Sequence, residues 1–220
     1  MRHLTIAALV FCLAGCVGSS KRFEPANLFA GTDPKAYLSA HVYGRLVIEV
    51  LGVEGVPIDL GALGALTDAA KMLCNKPAGV ELVQSPLVPR WAHGAQRWTN
   101  AQLGAFCDRY SKHRTSANTV VLHLIFVPGN HADGAEVGAV TFAKDKIGVF
   151  AEVDQSRVMS SVLVHEFGHI CGLVNNGTPD THKHEDSDSS GHCKNTACTM
   201  FWVSSGITAF CQDCLADLRR

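Results

Sequence analysis

The 220-residue sequence lacks a surplus of charge of either sign. Lys and Arg number 19 against 20 Asp and Glu, the net charge is −1, and the basic residues form no stripe. A chain of this kind has no electrostatic footprint for nucleic acid. Charged residues are scarce altogether, at 18%, while hydrophobic residues reach 47%. That balance excludes a disordered chain and marks a globular one. Internal repeats are absent. Apolar runs long enough for a membrane-spanning helix are absent too. The length suits one domain with a sizeable core, and a monomer is expected.

The first residues stand apart from the rest. Arg2 gives a short positive region, and Leu4 to Leu13 form an apolar stretch too short to span a membrane. The stretch ends in Leu13-Ala14-Gly15-Cys16, which resembles the bacterial lipobox. The resemblance implies a signal peptide over residues 1–15 and a mature chain that begins at an acylated (palmitate-bearing) Cys16. An ordinary cleaved signal peptide is the alternative. Each buried methylene contributes about 0.8 kcal/mol, so one acyl chain anchors marginally and several anchor durably. The implied location is the bacterial cell envelope. Val17 stands where an inner-membrane retention aspartate would be, which favours the outer membrane. Residues 16–35 read as a lipidated tether and residues 36–220 as the domain, with a C-terminal subdomain over about 173–220.

Periodicity orders the domain. Arg45 to Val50 reads as a strand. Asp59 stands before a helix over Leu60 to Cys74, and Val80 to Val83 is a second strand. Thr99 and Gln102 have the spacing of a capping box, and Leu103, Phe106, Cys107 and Tyr110 follow at helical intervals. Thr119 to Val127 is the strongest strand, closed by Pro128-Gly129. Two short strands follow, near Gly138 to Phe142 and Ile147 to Ala151. Ser156 is a candidate cap for a helix that stops at Gly172, and a short helix is expected near Asp213 to Leu218. The expected class is α/β (α+β), a mixed twisted sheet packed on helices.

The chemistry lies in His165-Glu166-Phe167-Gly168-His169. Spacing of i and i+4 on a helix puts both imidazoles on one face, one turn apart. They can share one tetrahedral zinc at about 2.0–2.1 Å. Glu166 projects beside them, suited to take a proton from water activated by the metal and return it to the leaving amine. A third ligand is needed. The run continues through Ile170, Cys171 and Gly172, the metzincin pattern H-E-x-x-H-x-x-G. Metzincins carry His or Asp three residues later, where this chain has Asn175, a poor zinc ligand.

The tail holds His192-Cys193, Cys198, Met200, and then Cys211 and Cys214. Together with the helix motif it resembles the archaemetzincin family, whose pattern is H-E-x-x-H-x-x-G-x-x-H-C-x4-C-x-M followed by C-x-x-C. Each element occurs in order from His165 to Cys214. The resemblance implies a metzincin-like fold and a peptidase that acts on a peptide or protein substrate. It implies His192 as third ligand of a catalytic zinc, with His184 and His182 as rivals. It implies Met200 as the apolar floor beneath the histidines. Cys193, Cys198, Cys211 and Cys214 would hold a second, structural zinc, although export to an oxidising compartment keeps two disulfides open as the rival. The strand near Gly138 to Phe142 would be the sheet edge facing the cleft, able to pair with an extended peptide.

Two departures stand out. Roughly seventeen extra residues separate Gly172 from His192, and only ten separate Met200 from Cys211. The extra segment carries Asp180, Glu185, Asp186 and Asp188. A solvated flexible loop is expected there, with a calcium site as the alternative. His123, within a strand, and His131, in a loop, are not expected to be ligands. Cys74 and Cys107 could pair across two helices, and Cys171 should face the core as a small hydrophobe. The competing functional class is a zinc-stabilised lipoprotein that binds a partner without turnover.

Overall fold

The computed structural model describes residues 33–90, 97–134, 137–150 and 158–218. The signal-like segment, Cys16, nearly all of the expected tether and Ser156 lie outside the described residues. No described helix is long and apolar enough to cross a membrane.

The elements run in the order α1 (Lys35–Leu38), β1 (Arg45–Gly52), α2 (Leu60–Leu73), β2 (Val80–Gln84), β3 (Arg97–Trp98), α3 (Asn100–Tyr110), β4 (Thr119–Val127), β5 (Asn130–His131), β6 (Ala139–Ala143), β7 (Lys146–Phe150), α4 (Met159–Ile170) and α5 (Gln212–Leu218). Five strands form one sheet in the order β2-β1-β4-β7-β6. The first four are mutually parallel, and β6 pairs antiparallel with β7 at the edge. This is the mixed α/β sheet expected from the sequence. The two-residue strands β3 and β5 form a separate parallel ribbon that periodicity is too short to reveal.

The strands behave as their composition dictates. Every residue of β1 after Arg45, and of β4 after Thr119, is buried. Central parallel strands covered on both faces read as continuous apolar runs. Helix starts follow local chemistry. The Asp59 carboxylate accepts from the Ala62 N–H at 3.0 Å at the start of α2. Thr99 and Gln102 form the reciprocal capping box at the start of α3. Helix α4 differs: Val158 occupies its N-cap position and supplies no side-chain cap. At the other end Gly172 adopts φ +75° and lets the chain turn away. A Cβ there would come within 2.7 Å of the Pro34 ring.

The segment before β1 is fastened to the core. Tyr37 is fully buried and its hydroxyl donates to the Val121 carbonyl at 3.1 Å. Lys76 Nζ donates to the carbonyls of Ala36, Ser39 and Tyr43 at 2.6–2.8 Å. Cys74, a candidate partner of Cys107, sits instead against Cys171, and all three are free buried thiols. Cys171 faces the core as its composition requires.

One polar pair interrupts the central strands. Glu49 of β1 and His123 of β4 are cross-strand partners with Nδ1 and Oε2 3.0 Å apart. The Glu49 carboxylate also accepts from Ser85 Oγ at 2.5 Å and from the N–H groups of Lys112 at 2.7 Å and His113 at 3.3 Å. Burial pushes its pKa up, but these hydrogen bonds and His123 outweigh burial and hold it below the ordinary 4.5. His123 lies below the ordinary 6.5, chiefly through burial.

Both shifts act in one direction. A lowered histidine costs stability as pH falls below 6.5, because the unfolded chain protonates first. A lowered carboxylate contributes stability above 4.5 that is lost as pH falls through its folded value. Glu49→Gln is expected to cost about 1–3 kcal/mol at pH 7, with the gap from wild type narrowing as pH falls below 4.5 and through the lowered folded value of Glu49. Urea unfolding of both proteins across this range measures it. A gap that does not change with pH overturns the assignment.

Candidate metal centres

Helix α4 is buried on nearly every face, from Met159 through Ile170. It therefore carries His165 and Glu166, exposed by only 5% and 6%, into the interior. The i,i+4 spacing brings His165 Nε2 and His169 Nε2 to 3.0 Å. After Gly172, Val174 and Asn175 take positive φ values of 55° and 62°, and the chain doubles back. The return brings the His192 ring to 5.2 Å from both His165 and His169, stacked on the first and edge-on to the second. One nitrogen of each imidazole lies within 4.8 Å of the other two. Asn175 is not in this group; its amide donates to the Glu185 carboxylate.

The outer faces of the three rings are fixed by the surrounding chain. His165 Nδ1 donates to the Thr199 carbonyl at 2.7 Å, and His192 Nδ1 to the Ser190 carbonyl at 3.2 Å. In each case Nε2 is left with its lone pair directed inward, the tautomer a metal requires. The Asn176 amide stands 3.0 Å from His169 Nδ1 and donates to the carbonyls of Leu173 and Gly191. It ties the end of α4 to the chain just before His192. Burial holds all three histidines below the ordinary 6.5, His192 at about 4, and their mutual proximity adds to the shift for His169 and His192. Neutral imidazoles at pH 7 are the ligand form, so the donor set fits zinc.

Glu166 is held by the edge strand. The Thr141 N–H of β6 donates to Glu166 Oε2 at 2.6 Å, and Thr141 Oγ1 donates to the Glu166 carbonyl at 2.9 Å. Burial raises the carboxyl pKa to about 7, against the lowering effect of Thr141. That value suits a group that must accept and release a proton near neutrality. Met200 is fully buried and lies against α4 at Gly168. A Cβ on Gly168 would come within 2.2 Å of Met200 Sδ and 3.1 Å of the Phe210 ring. The missing side chain at 168 is what lets the methionine close against the helix.

The tail cysteines also converge: the sulfurs of Cys193, Cys211 and Cys214 and a nitrogen of His184 lie within 4.8 Å of one another, and Cys198 stands beside them. Cys193 and Cys211 sulfurs are 3.7 Å apart, as are those of Cys198 and Cys214. A tetrahedral zinc with bonds of about 2.3 Å holds sulfurs about 3.8 Å apart, whereas bonded disulfide sulfurs are about 2.05 Å apart. The spacing fits the ion, and the four are free thiols. Backbone N–H groups point at the sulfurs: Asn195 at Cys193 (3.4 Å), Met200 at Cys198 (3.4 Å) and Cys211 at Cys198 (3.2 Å). Hydrogen bonds from the neighbouring thiols of Cys193 and Cys214, joined by these N–H groups, hold Cys198 as a thiolate. The Cys193 thiol is pushed up to about 12 by the same sharing. A soft divalent cation relieves that competition among sulfurs.

The remaining sequence candidates sit elsewhere. His182 and His184 face Asp217 of α5, at 2.7 and 3.0 Å, and not His165, while the other nitrogen of His184 turns to the sulfurs of Cys193 and Cys214 at 3.4 and 3.8 Å. Asp180 and Glu185 spend their carboxylates on backbone N–H groups of His184, Glu185 and Gly191, so the acidic segment is built by hydrogen bonds instead of lying loose in solvent. His131 pairs with Asn100 at 3.0 Å. Thr141, Asn176, Thr199 and Asp217 carry no motif signal. They act through single amides, carbonyls and carboxylates that the fold, and not spacing, brings to the site.

No protein-family model matches the chain, and no curated protein does. By shape, 15 solved chains match. Among them is the crystal structure of archaemetzincin from Methanopyrus kandleri, with 16% identical residues and a TM-score of 0.48, over 83% of this chain and 97% of that one. At that level the likeness carries no conclusion about chemistry.

Proposed function

We propose that this chain is a zinc-dependent peptidase. The observation that carries the reading is the meeting of three neutral imidazoles, His165, His169 and His192, beside one buried carboxyl poised near 7. A zinc ion held by the three histidines supplies Lewis acidity, lowering the pKa of water to about 7 and polarising a carbonyl. Glu166 takes the proton from the attacking water and passes it to the leaving amine. Thr141 fixes the carboxylate orientation, and Met200 with Gly168 keeps the floor of the site apolar. The substrate is a peptide or protein segment. The edge strand β6 supports this, because it ends the sheet order and its Thr141 holds Glu166. An extended chain added along that edge lies beside the base.

The second centre, Cys193, Cys198, Cys211 and Cys214, holds a structural zinc in this reading, giving two ions per chain. The polypeptide works as a monomer. Export and anchoring at the cell envelope through Cys16, with the outer membrane favoured by Val17, belong to the same proposal and rest on the lipobox-like sequence.

Glu166→Gln is expected to keep its zinc and lose peptide cleavage by a factor of about 10²–10⁴. Zinc content and cleavage of a peptide library, measured on the same preparation, check it. Undiminished cleavage in the loaded variant overturns the role. Metal analysis of the wild-type chain is expected to return two zinc ions, and a value of one with no free thiols in the tail returns the disulfide alternative. In a bacterial host, Cys16→Ser is expected to abolish palmitate labelling and shift the protein from the membrane to the soluble fraction. Unchanged membrane retention counts against the anchor.

A further inference from the structure

Asn175 stands where the helix motif asks for a metal ligand, three residues after Gly172. The structure gives it and Asn176 a different task. The chain leaves α4 through Val174 and Asn175, both at positive φ, 55° and 62°. Val174 is buried and β-branched, and such a residue does not rest in the left-handed region unaided. The contacts around the turn hold it.

From this turn both asparagines reach the same residue, Gly191, which directly precedes His192. Asn176 is 5% exposed. Its Nδ2 donates to the Leu173 carbonyl at 2.7 Å and, across the insertion, to the Gly191 carbonyl at 3.0 Å. A carbonyl only accepts, so these partners fix which end of the amide faces them. Asn175 works through Glu185. Its Nδ2 donates to Glu185 Oε2, while Glu185 Oε1 accepts from the Gly191 N–H and from Ser190 Oγ, each at 2.8 Å. Gly191 is therefore gripped at its carbonyl and at its N–H. It has φ +80°, and a Cβ there would lie 3.2 Å from the Asn176 amide atoms, so the bare backbone admits the grip.

The insertion has hydrogen bonds of its own. Asp186 N–H donates to the His192 carbonyl at 2.7 Å, Lys194 N–H donates to the His184 carbonyl at 2.9 Å, and Glu185 and Cys193 form an antiparallel bridge. Those bonds join the two arms of the insertion to each other. The asparagine pair joins them to the end of α4, at Leu173, one turn beyond His169.

We propose that Asn175 and Asn176 are positioning residues that stand in for the missing ligand at 175: by clamping Gly191 they deliver His192 to His165 and His169 from further along the chain. They act on the metal through His192. The inference rests on the zinc reading of the histidine centre.

The test is a double-mutant cycle on the full chain. The chain is loaded with cadmium-113, whose resonance separates an ion on nitrogen from one on sulfur, and each resonance is followed against a competing chelator. Asn176→Ala is expected to lower affinity at the histidine centre by about 10–100-fold. In a His192→Ala background the same substitution should change it little, because the ligand it positions is gone. Should Asn176→Ala fail to fold, Glu185→Ala removes the other half of the grip from a partly exposed position, and the same dependence on His192 is expected. The Asn176 amide also stands 3.0 Å from His169 Nδ1. An equal loss in both backgrounds therefore assigns its effect to His169 or to general stability and overturns the proposal, as does no loss in either. A wild-type chain that holds no ion at the three histidines overturns the zinc reading and this inference with it. An ion held as tightly by Asn176→Ala overturns this inference alone.

Discussion

A helix buried on almost every face cannot carry two imidazoles and a carboxylate unless each polar atom meets a partner. An unpaired buried polar group costs about 1–3 kcal/mol, and α4 carries several. The structure around α4 is best understood as the set of answers to that demand. His165 meets the Thr199 carbonyl, His169 meets Asn176, and Glu166 meets Thr141 at the sheet edge. Each partner comes from a different segment, so satisfying the helix draws the edge strand, the inserted loop and the cysteine tail onto one spot. The polar atoms left facing inward are the imidazole nitrogens directed at one another, the arrangement a cation resolves.

The tail raises the opposite problem. Between α4 and α5 the described chain contains no helix or strand beyond isolated bridges. It cannot be held by regular backbone ladders, and what holds it is local. Asp180 and Glu185 accept from nearby N–H groups, the sulfurs accept from Asn195, Met200 and Cys211, and Cys193 N–H donates to the Met200 carbonyl at 2.8 Å. A zinc ion held by these thiolates would contribute about 10–16 kcal/mol of apparent binding energy, far more than any of these bonds, and the tail's order and the first cluster's third imidazole would then depend on the same ion.

What could be read in the sequence follows from this division. The sheet and helices obey periodicity and capping rules, and β1, α2, α3 and β4 lie within a residue or two of their expected bounds. The residues of both clusters announced themselves because histidine and cysteine at short spacings have few other uses. The partners did not. Thr141 works through a backbone N–H and Thr199 through a carbonyl, groups that every residue possesses. Asn176 lies in the extra segment, where a flexible loop is the expectation from composition. His184 looked like a rival ligand, because composition cannot say toward which centre an imidazole turns. The acidic run looked solvated for the same reason: its carboxylates are satisfied by amides within a few residues, a geometry with no composition signature. Cys107 was one possible partner for Cys74, and the contact with Cys171 carries no sequence signal because helix ends, unlike helix faces, have no period.

Two buried glutamates show how finely the chain distinguishes structure from chemistry. Glu49 and Glu166 both sit beside histidine and both lose nearly all contact with water. Glu49 accepts from a hydroxyl and two N–H groups, and its pKa falls below the ordinary range. Among the described residues the Glu166 carboxylate accepts from Thr141 alone, and burial wins, raising its pKa to about 7. Donors from three residues make a fixed charge, while one donor residue leaves a group that can still exchange its proton. The difference lies in how many donors reach each carboxylate and in how deeply the surrounding chain shields it from water, and not in the residue type. By that measure Glu49 is cemented into the sheet, while Glu166 keeps a carboxyl that can exchange its proton near neutrality.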